Sequence, residues 1–261
     1  MEDLINNIIK DINKTGYPTE MKVVNMFQKR KWSCSENQYF IDQDENKGRE
    51  IDLKVHTNNS YEESGPICCW SMLSVEIKKS EKPWVIFTTN RRATDTGGYG
   101  LLNHRNNINS SNLSYKDIMN KYPGKSIRIG RNEYVALAKD GHPQIYNAIL
   151  SAVKSAIEDH RLAEDHKEAY SDSSFDIVFY TPVVVLSGKL FQAYLNPDNE
   201  IEISPSNHIV YNLNYASPSY NRKSYLVDIV TVEGLENYIR SHERWLQNMN
   251  DKIRNSVIQE G

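Results

Sequence analysis

Leu73 to Phe87 reads LSVEIKKSEKPWVIF. It has the apolar content of a buried strand, yet it holds Glu76, Lys78, Lys79 and a second Glu-Lys pair, Glu81 and Lys82. Successive strand side chains point to opposite faces, so Val75 and Ile77 share one face while Glu76 and Lys78 share the other. A carboxylate and an ammonium side by side on so apolar a strand mean either that this face is wet or that the charges do chemistry there.

Upstream, REIDLKVH alternates in the same way: Ile51, Leu53 and Val55 face one side, Glu50, Asp52 and Lys54 the other. Before it, Pro18 suits the first turn of a helix running to about Arg30. Glu20, Val23, Val24 and Phe27 fall on one face of that helix, which sets Glu20 on the core side of its first turn. A charge there is unusual unless it is paired, metal-bound or at a rim; the plainer reading is an acid favoured by the helix dipole. WSCSENQYFI is a further strand between these elements. A short amphipathic helix precedes them, with Leu4, Ile5, Ile8, Ile9 and Ile12 at helical spacing.

Downstream, Asn58 to Gly65 reads as a turn or loop and WVIFTT as a strand opened by Pro83. Asn90 to Gly141 is irregular and rich in Asn, Ser, Gly and Arg, which predicts loops with short elements. Residues 143–166 form the clearest helix, with an apolar stripe from Ile145 to Ile157. FDIVFYTPVVVLSG follows as a buried strand, and Pro182 predicts a bend in it. KLFQAYL, HIVYNLNY and YLVDIVTV are further strands, and GLENYIRSHERWLQNMNDKIR is a closing helix. The expected architecture is one mixed α/β (α+β) domain over residues 1–261. Its core spans about 16–187, in the order helix, three strands, helix, strand, with a C-terminal elaboration over 188–261.

The chain has 261 residues, 39% hydrophobic and 25% charged, which is ordinary globular composition. The net charge of −3 does not mark the whole protein as a nucleic-acid binder, but the charge is uneven. Residues 78–131 hold eleven Lys/Arg against three Asp/Glu, a balance that suits an anionic partner or a solvated basic face. The three cysteines, two of them adjacent, argue for a reducing compartment rather than a disulfide scaffold. The N-terminus lacks the basic flank and unbroken apolar core of a signal peptide, and no apolar run suits a membrane span. A cytoplasmic protein that avoids membranes is expected. The phosphate loop GxxxxGK[ST], the GxSxG elbow and HExxH are all missing, and His160 and His166 read as surface or helix-end residues.

Asp52 and Glu76, on neighbouring strands, make an oxygen donor set for a hard cation such as Mg²⁺, with Mn²⁺ as substitute. The Ile77 carbonyl lies between Glu76 and Lys78 as a third oxygen. Such an ion activates water and neutralises charge on a phosphoryl group. Lys78 would orient the attacking water or help deprotonate it. Glu50 and Lys79 are alternatives in the same roles, although alternation turns Lys79 to the face opposite Glu76.

Asp52 followed by Glu76-Ile77-Lys78 on the next strand resembles the PD-(D/E)xK nuclease superfamily, which includes many restriction endonucleases. GYPTEMKVVNMFQKRKW, REIDLKV and LSVEIKKS are similar to its restriction-endonuclease-like members of the Mrr-related kind. The motif likeness covers about Gly16 to Phe87, and element order alone extends it to about Leu186. Ile51 stands where the motif's name has a proline. The resemblance implies a core of helix, three strands, helix and strand, and a Mg²⁺-dependent nuclease site. Asp52, Glu76 and Lys78 would be catalytic, and Glu20 matches the helix-borne acid of many members. Duplex DNA is the expected partner, with a homodimer if both strands are cut at one position. Defence against foreign DNA is analogy alone. Lys79, Arg91, Arg92, Arg105, Arg128 and Arg131 are candidate phosphate contacts. The alternative is a non-catalytic binder of nucleic acid or protein on the same scaffold; an enzyme on small phosphorylated molecules ranks third.

Overall fold

The computed structural model describes residues 1–60, 67–92, 95, 101–108, 113–120, 122–123, 128–138, 143–165, 175–220 and 224–260. Five helices and eleven strands lie among them, and all the strands join one mixed sheet.

The first half builds one end of the sheet. Helix α1 (Glu2–Ile12) leads into α2 (Tyr17–Gln28), which carries Pro18 in its first turn. Strands β1 (Ser33–Asp42), β2 (Lys47–Ser60) and β3 (Ile67–Lys79) then pair antiparallel in sequence order. Asn58 to Ser60 belong to β2, where they pair with Trp70 to Cys68, so the expected loop begins later than its composition indicated. Residues 61–65 of that loop lie outside the described residues.

Helix α4 (Gln144–Asp165) returns the chain to β7 (Phe175–Ser187), which runs parallel to β3 from Ile67↔Phe175 to Lys79↔Ser187. That register passes through Ser74↔Pro182 without a break, so Pro182 does not interrupt the pairing. On the other edge of β7, pairing with β5 (Leu102–Asn106) ends at Tyr180 and pairing with β11 (Ser224–Thr231) starts at Val183. Pro182 therefore sits in the gap between two ladders, where its missing N–H costs no hydrogen bond.

The remaining strands extend the sheet. They are β4 (Trp84–Asn90), β6 (Arg128–Val135), β8 (Leu190–Leu195), β9 (Ile201–Pro205) and β10 (His208–Asn214). The order is β1-β2-β3-β7-β11-β10-β6-β4-β8-β9, with β5 beside β7. β5, α3 (Tyr115–Asn120) and β6 are the short elements expected between 90 and 141, whereas β9 was not foreseen.

Helices cover the sheet on both faces. The even-numbered side of β3 meets α4; the odd-numbered side meets α2 and α5 (Leu235–Glu260). Val23, Val24 and Phe27 of α2 pack with Leu53, Val55, Val75 and Ile77, all buried. Burying one such side chain contributes about 1.5–3 kcal/mol. The alternation read from the sequence thus corresponds to the two sides of a covered sheet, and the charged side faces a helix. In α1 the apolar stripe forms as a helix, but none of its residues is buried. Trp84 is fully buried core and Trp70 packs against the same cluster. Among the described residues no helix is long and apolar enough to cross a membrane.

Candidate active site

The ladder between β2 and β3 stops at Leu53↔Val75. Past that point the strands separate, and Asp52 turns its carboxylate into the opening. Asp52 Oδ2 accepts the Ile77 N–H at 2.6 Å. A strand residue's N–H and C=O face the same neighbour, so the Ile77 carbonyl also points toward the Asp52 side.

Glu76 and Lys78 leave β3 on the α4 face. Lys78 Nζ lies 2.5 Å from Glu76 Oε1 and 3.8 Å from Asp52 Oδ2. The second Glu76 oxygen accepts a 2.9 Å hydrogen bond from Ser151 on α4. One ammonium therefore stands between two carboxylates, and a helix hydroxyl fixes the more buried of them. Continuing along the same seam, Ser155 Oγ meets Ser74 Oγ at 3.3 Å, and Asp159 pairs with Lys54 at 2.5 Å.

Glu20 approaches from the other side of the sheet. Lys79 Nζ donates to the Asn13 carbonyl at 2.8 Å, which fastens the α1–α2 junction beside the end of β3. Gly16 leaves room for the Glu20 carboxylate, because a Cβ there would lie 3.1 Å from Oε1. Glu20 is half-buried and within electrostatic range of Asp52 and Lys78.

The electrostatics follow from this crowding. Burial raises the Glu76 pKa, and the Asp52 charge raises it further against the opposing pull of Lys78 and Ser151. Burial and Asp52 likewise raise Glu20, while Lys78 opposes them. For Lys78, burial pulls the pKa down, but Glu76, Asp52 and Glu20 outweigh it and the net direction is up. The lysine is thus held as an ammonium by the acids around it.

A cleft of about 490 Å³ opens beside this cluster, lined in part by Glu50, Glu76, Lys78, Ser151, Arg49 and Lys154. Arg49 pairs with Asp42 at 3.5 Å and Glu45 at 2.5 Å, and buried Lys154 pairs with Asp42 and Asp44. Ser151, Arg49 and Lys154 escaped the sequence reading. The sequence signal for Ser151 is that Ser151, Ser155 and Asp159 recur every fourth residue beside the apolar stripe of α4.

The candidate phosphate contacts are scattered. Lys79 turns away from Glu76, as alternation required, and binds Asn13. Arg91 and Arg92 follow the end of β4, and the Arg92 main chain binds Asp95. Arg131 on β6 is paired with Asp95 at 2.5 Å. Arg128 stacks 3.8 Å over the Tyr194 ring. Arg105 donates to Asn103 and to the Leu113 carbonyl, a role in loop structure. β6 is four strands from β3 in the sheet, or about 19 Å at ~4.8 Å per strand. The cluster brings together Asp52, Glu76, Lys78 and Glu20; Arg128 and Arg131 lie apart from it. His160, read as a surface residue, contacts the Asn103 carbonyl at 3.1 Å and Tyr180 edge-on, so it ties α4 to β5 and β7. His166 lies outside the described residues.

The donor set is all oxygen and carries like charges that repel, which suits a hard divalent cation. Among the described residues, no three His, Cys, Asp or Glu side chains converge closely enough to hold an ion as they stand. Lys78 takes the position between the acids instead. No family model matches the chain, and no curated protein or solved structure matches it.

Proposed function

We propose that the chain is a Mg²⁺-dependent nuclease of the PD-(D/E)xK type that hydrolyses phosphodiesters, with DNA as the expected substrate. The observation that carries this reading is the meeting of Asp52 with Glu76 and Lys78, 24 and 26 residues further along the sequence, at one half-buried opening between β2 and β3. The element order supports it: α2, β1, β2, β3, α4 and β7 follow the helix, three strands, helix, strand plan of the restriction-endonuclease-like core, with residues 84–135 inserted. The acidic surroundings also favour a cation, since an anionic backbone would be repelled from Asp52, Glu76 and Glu50 without one.

Asp52, Glu76 and the Ile77 carbonyl would hold the ion, with Glu20 adding its charge directly or through water. The ion would supply Lewis-acid activation of water and charge neutralisation at phosphorus. Asp52 is kept in place by the Ile77 N–H, and Glu76 by Ser151. Lys78, as an ammonium, orients the attacking water and stabilises charge building on the phosphoryl oxygens. It does not take the water's proton while Glu76 keeps its charge.

The second reading, a non-catalytic binder, is favoured by one observation: Lys78 already occupies the position between the acids, and among the described residues no third His, Cys, Asp or Glu side chain closes on them. A single assay separates the two. Parent protein, Glu76→Ala and Lys78→Ala are incubated with supercoiled DNA, linear DNA and RNA in Mg²⁺, Mn²⁺ or chelator. The nuclease predicts metal-dependent cutting by the parent alone, with unchanged circular dichroism in both variants. Equal cutting by parent and variants removes the site assignment. No cutting, together with no metal binding by calorimetry, selects the binder.

A further inference from the structure

β9 closes the sheet opposite the β1 edge. One of its sides pairs with β8, and no strand pairs with the other among the described residues. The Ser206 N–H donates to Leu190 O and the Asn196 N–H to Glu200 O, each at 3.0 Å. Even-numbered residues of β9 therefore face β8, and Ile201, Ile203 and Pro205 aim their main-chain groups at the free edge. Proline, which has no N–H to leave unpaired, occupies one of these outward positions. The side chains on this side are apolar and bare. Ile201, Ile203 and Leu195 are 66%, 59% and 57% exposed. Register places Phe87 on the same face through Ala193.

We propose that β9 pairs antiparallel with β9 of a second copy, about a twofold axis through Ile203, so that one sheet runs across a homodimer. The sequence EIEISPS over residues 200–206 is self-complementary about that point. Glu200 falls opposite the partner's Ser206, Glu202 opposite the partner's Ser204, and Ile203 opposite its own copy. Glu202 thus meets the partner's Ser204 hydroxyl, which accepts from Gln192 and keeps its own proton to donate, and no two carboxylates fall opposite each other. Each Ile203 N–H reaches the carbonyl of its counterpart, and each Ile201 N–H reaches the carbonyl of the partner's Pro205. Centring on Glu202 instead would set two carboxylates directly opposite, which destabilises a strand pair. Centring on Ser204 would bring Pro205 opposite Ile203 and lose the Ile201 donors. Main-chain pairing of an exposed edge is a general mode of association, and here the carboxylates and the proline together select the register.

β3 is seven strand spacings from β9. The two clefts of the dimer would then be separated by about 70 Å along the sheet. This dimer does not bring two sites to one position of a duplex, and it stands whether or not the nuclease reading does.

Sedimentation of the full chain over a concentration series is the test, with Ile203→Lys, Ile203→Cys, Ile201→Cys and Glu202→Cys. A hydrogen-bonded antiparallel pair sets Cα atoms ~5.5 Å apart, within disulfide reach; the Ile201 positions would be roughly 14 Å apart. The expected result is a concentration-dependent dimer, abolished by Ile203→Lys with unchanged circular dichroism. On mild oxidation Ile203→Cys cross-links while Ile201→Cys, Glu202→Cys and the parent do not. A parent that stays monomeric at every concentration, a dimer indifferent to Ile203→Lys, or cross-linking at Glu202 in place of Ile203 would overturn the proposal. So would a monomer whose β9 edge binds a strand of a different protein instead.

Discussion

The Ser151 hydroxyl donates to Glu76 Oε2 at 2.9 Å and so links the middle of α4 to the acid at the mouth of the cleft. Its loss frees the Glu76 carboxylate to rotate without removing a charge. Ser151→Ala is expected to lower kcat/KM for phosphodiester cleavage about tenfold, or about 1.4 kcal/mol. The melting temperature should move little, since Ser151 is only partly buried. Steady-state cleavage beside thermal melts checks this; unchanged kinetics would make the contact merely structural.

Lys78→Ala leaves Glu76 buried without its cation. Stranding a buried acceptor costs about 1–3 kcal/mol, and more when it is charged. Burial and Asp52 already raise the Glu76 pKa, and removing Lys78 raises it further. A carboxylate whose folded pKa is raised burdens the fold above its unfolded value of 4.5, and the burden fades as pH falls and it protonates. The variant's deficit relative to the parent should therefore be largest near pH 8 and shrink toward pH 5. Urea unfolding of both proteins at those pH values measures it. Mg²⁺ should stabilise the variant more than the parent if the acids bind metal.

His242 is fully buried, with Nε2 2.6 Å from Ser71 Oγ and its ring against Trp245. Burial pushes its pKa down from 6.5 to about 4. The folded protein therefore holds this ring neutral where the unfolded chain protonates it. That stability is present above pH 6.5 and is lost as pH falls toward 4, for a total of about 3 kcal/mol. His242→Gln should flatten this part of the pH–stability curve; a parent and variant with parallel curves would refute the assignment.

Four strand spacings separate the strands of Arg128 and Glu76, about 19 Å at ~4.8 Å each. A substrate touching both must be long. Arg128→Glu is expected to weaken binding of an extended duplex and reduce its salt slope by about one. Oligonucleotides too short to cross that distance should bind unchanged. Fluorescence anisotropy in chelator at several salt concentrations distinguishes the two. Equal loss for long and short ligands would place Arg128 in the fold rather than in the interface.

Residues 49–56 and 73–79 were legible because alternation in a strand is a period-two code, and both strands have one apolar and one charged face. α2 and α4 were legible for the same reason at helical period. β9 was not. It is five residues long, lies between the turn at 196–200 and a proline, and offers only Ile201 and Ile203 as apolar positions. Cleft residues on α4 were hidden because a polar residue beside an apolar stripe looks solvent-facing until a polar sheet face is known to lie opposite. The reach of Arg128 and Arg131 was hidden for a different reason. Strand order is set by long-range pairing, and neighbours in sequence such as β3 and β4 end up five strands apart.

The contacts of Ser151, Ser155 and Asp159 with Glu76, Ser74 and Lys54 amount to a ruler. Four helical residues advance about 6 Å and two strand residues about 6.7 Å, so the step from Ser151 to Ser155 matches the step from Glu76 to Ser74, and Asp159 then reaches sideways to Lys54, which pairs with Ser74 in the sheet. An apolar helix face would slide along a sheet with little change in burial. Here a slip breaks the half-buried Asp159–Lys54 pair, which locks the docking depth of α4 from two turns away. The alignment of Glu76 is thereby fixed by residues that never touch it.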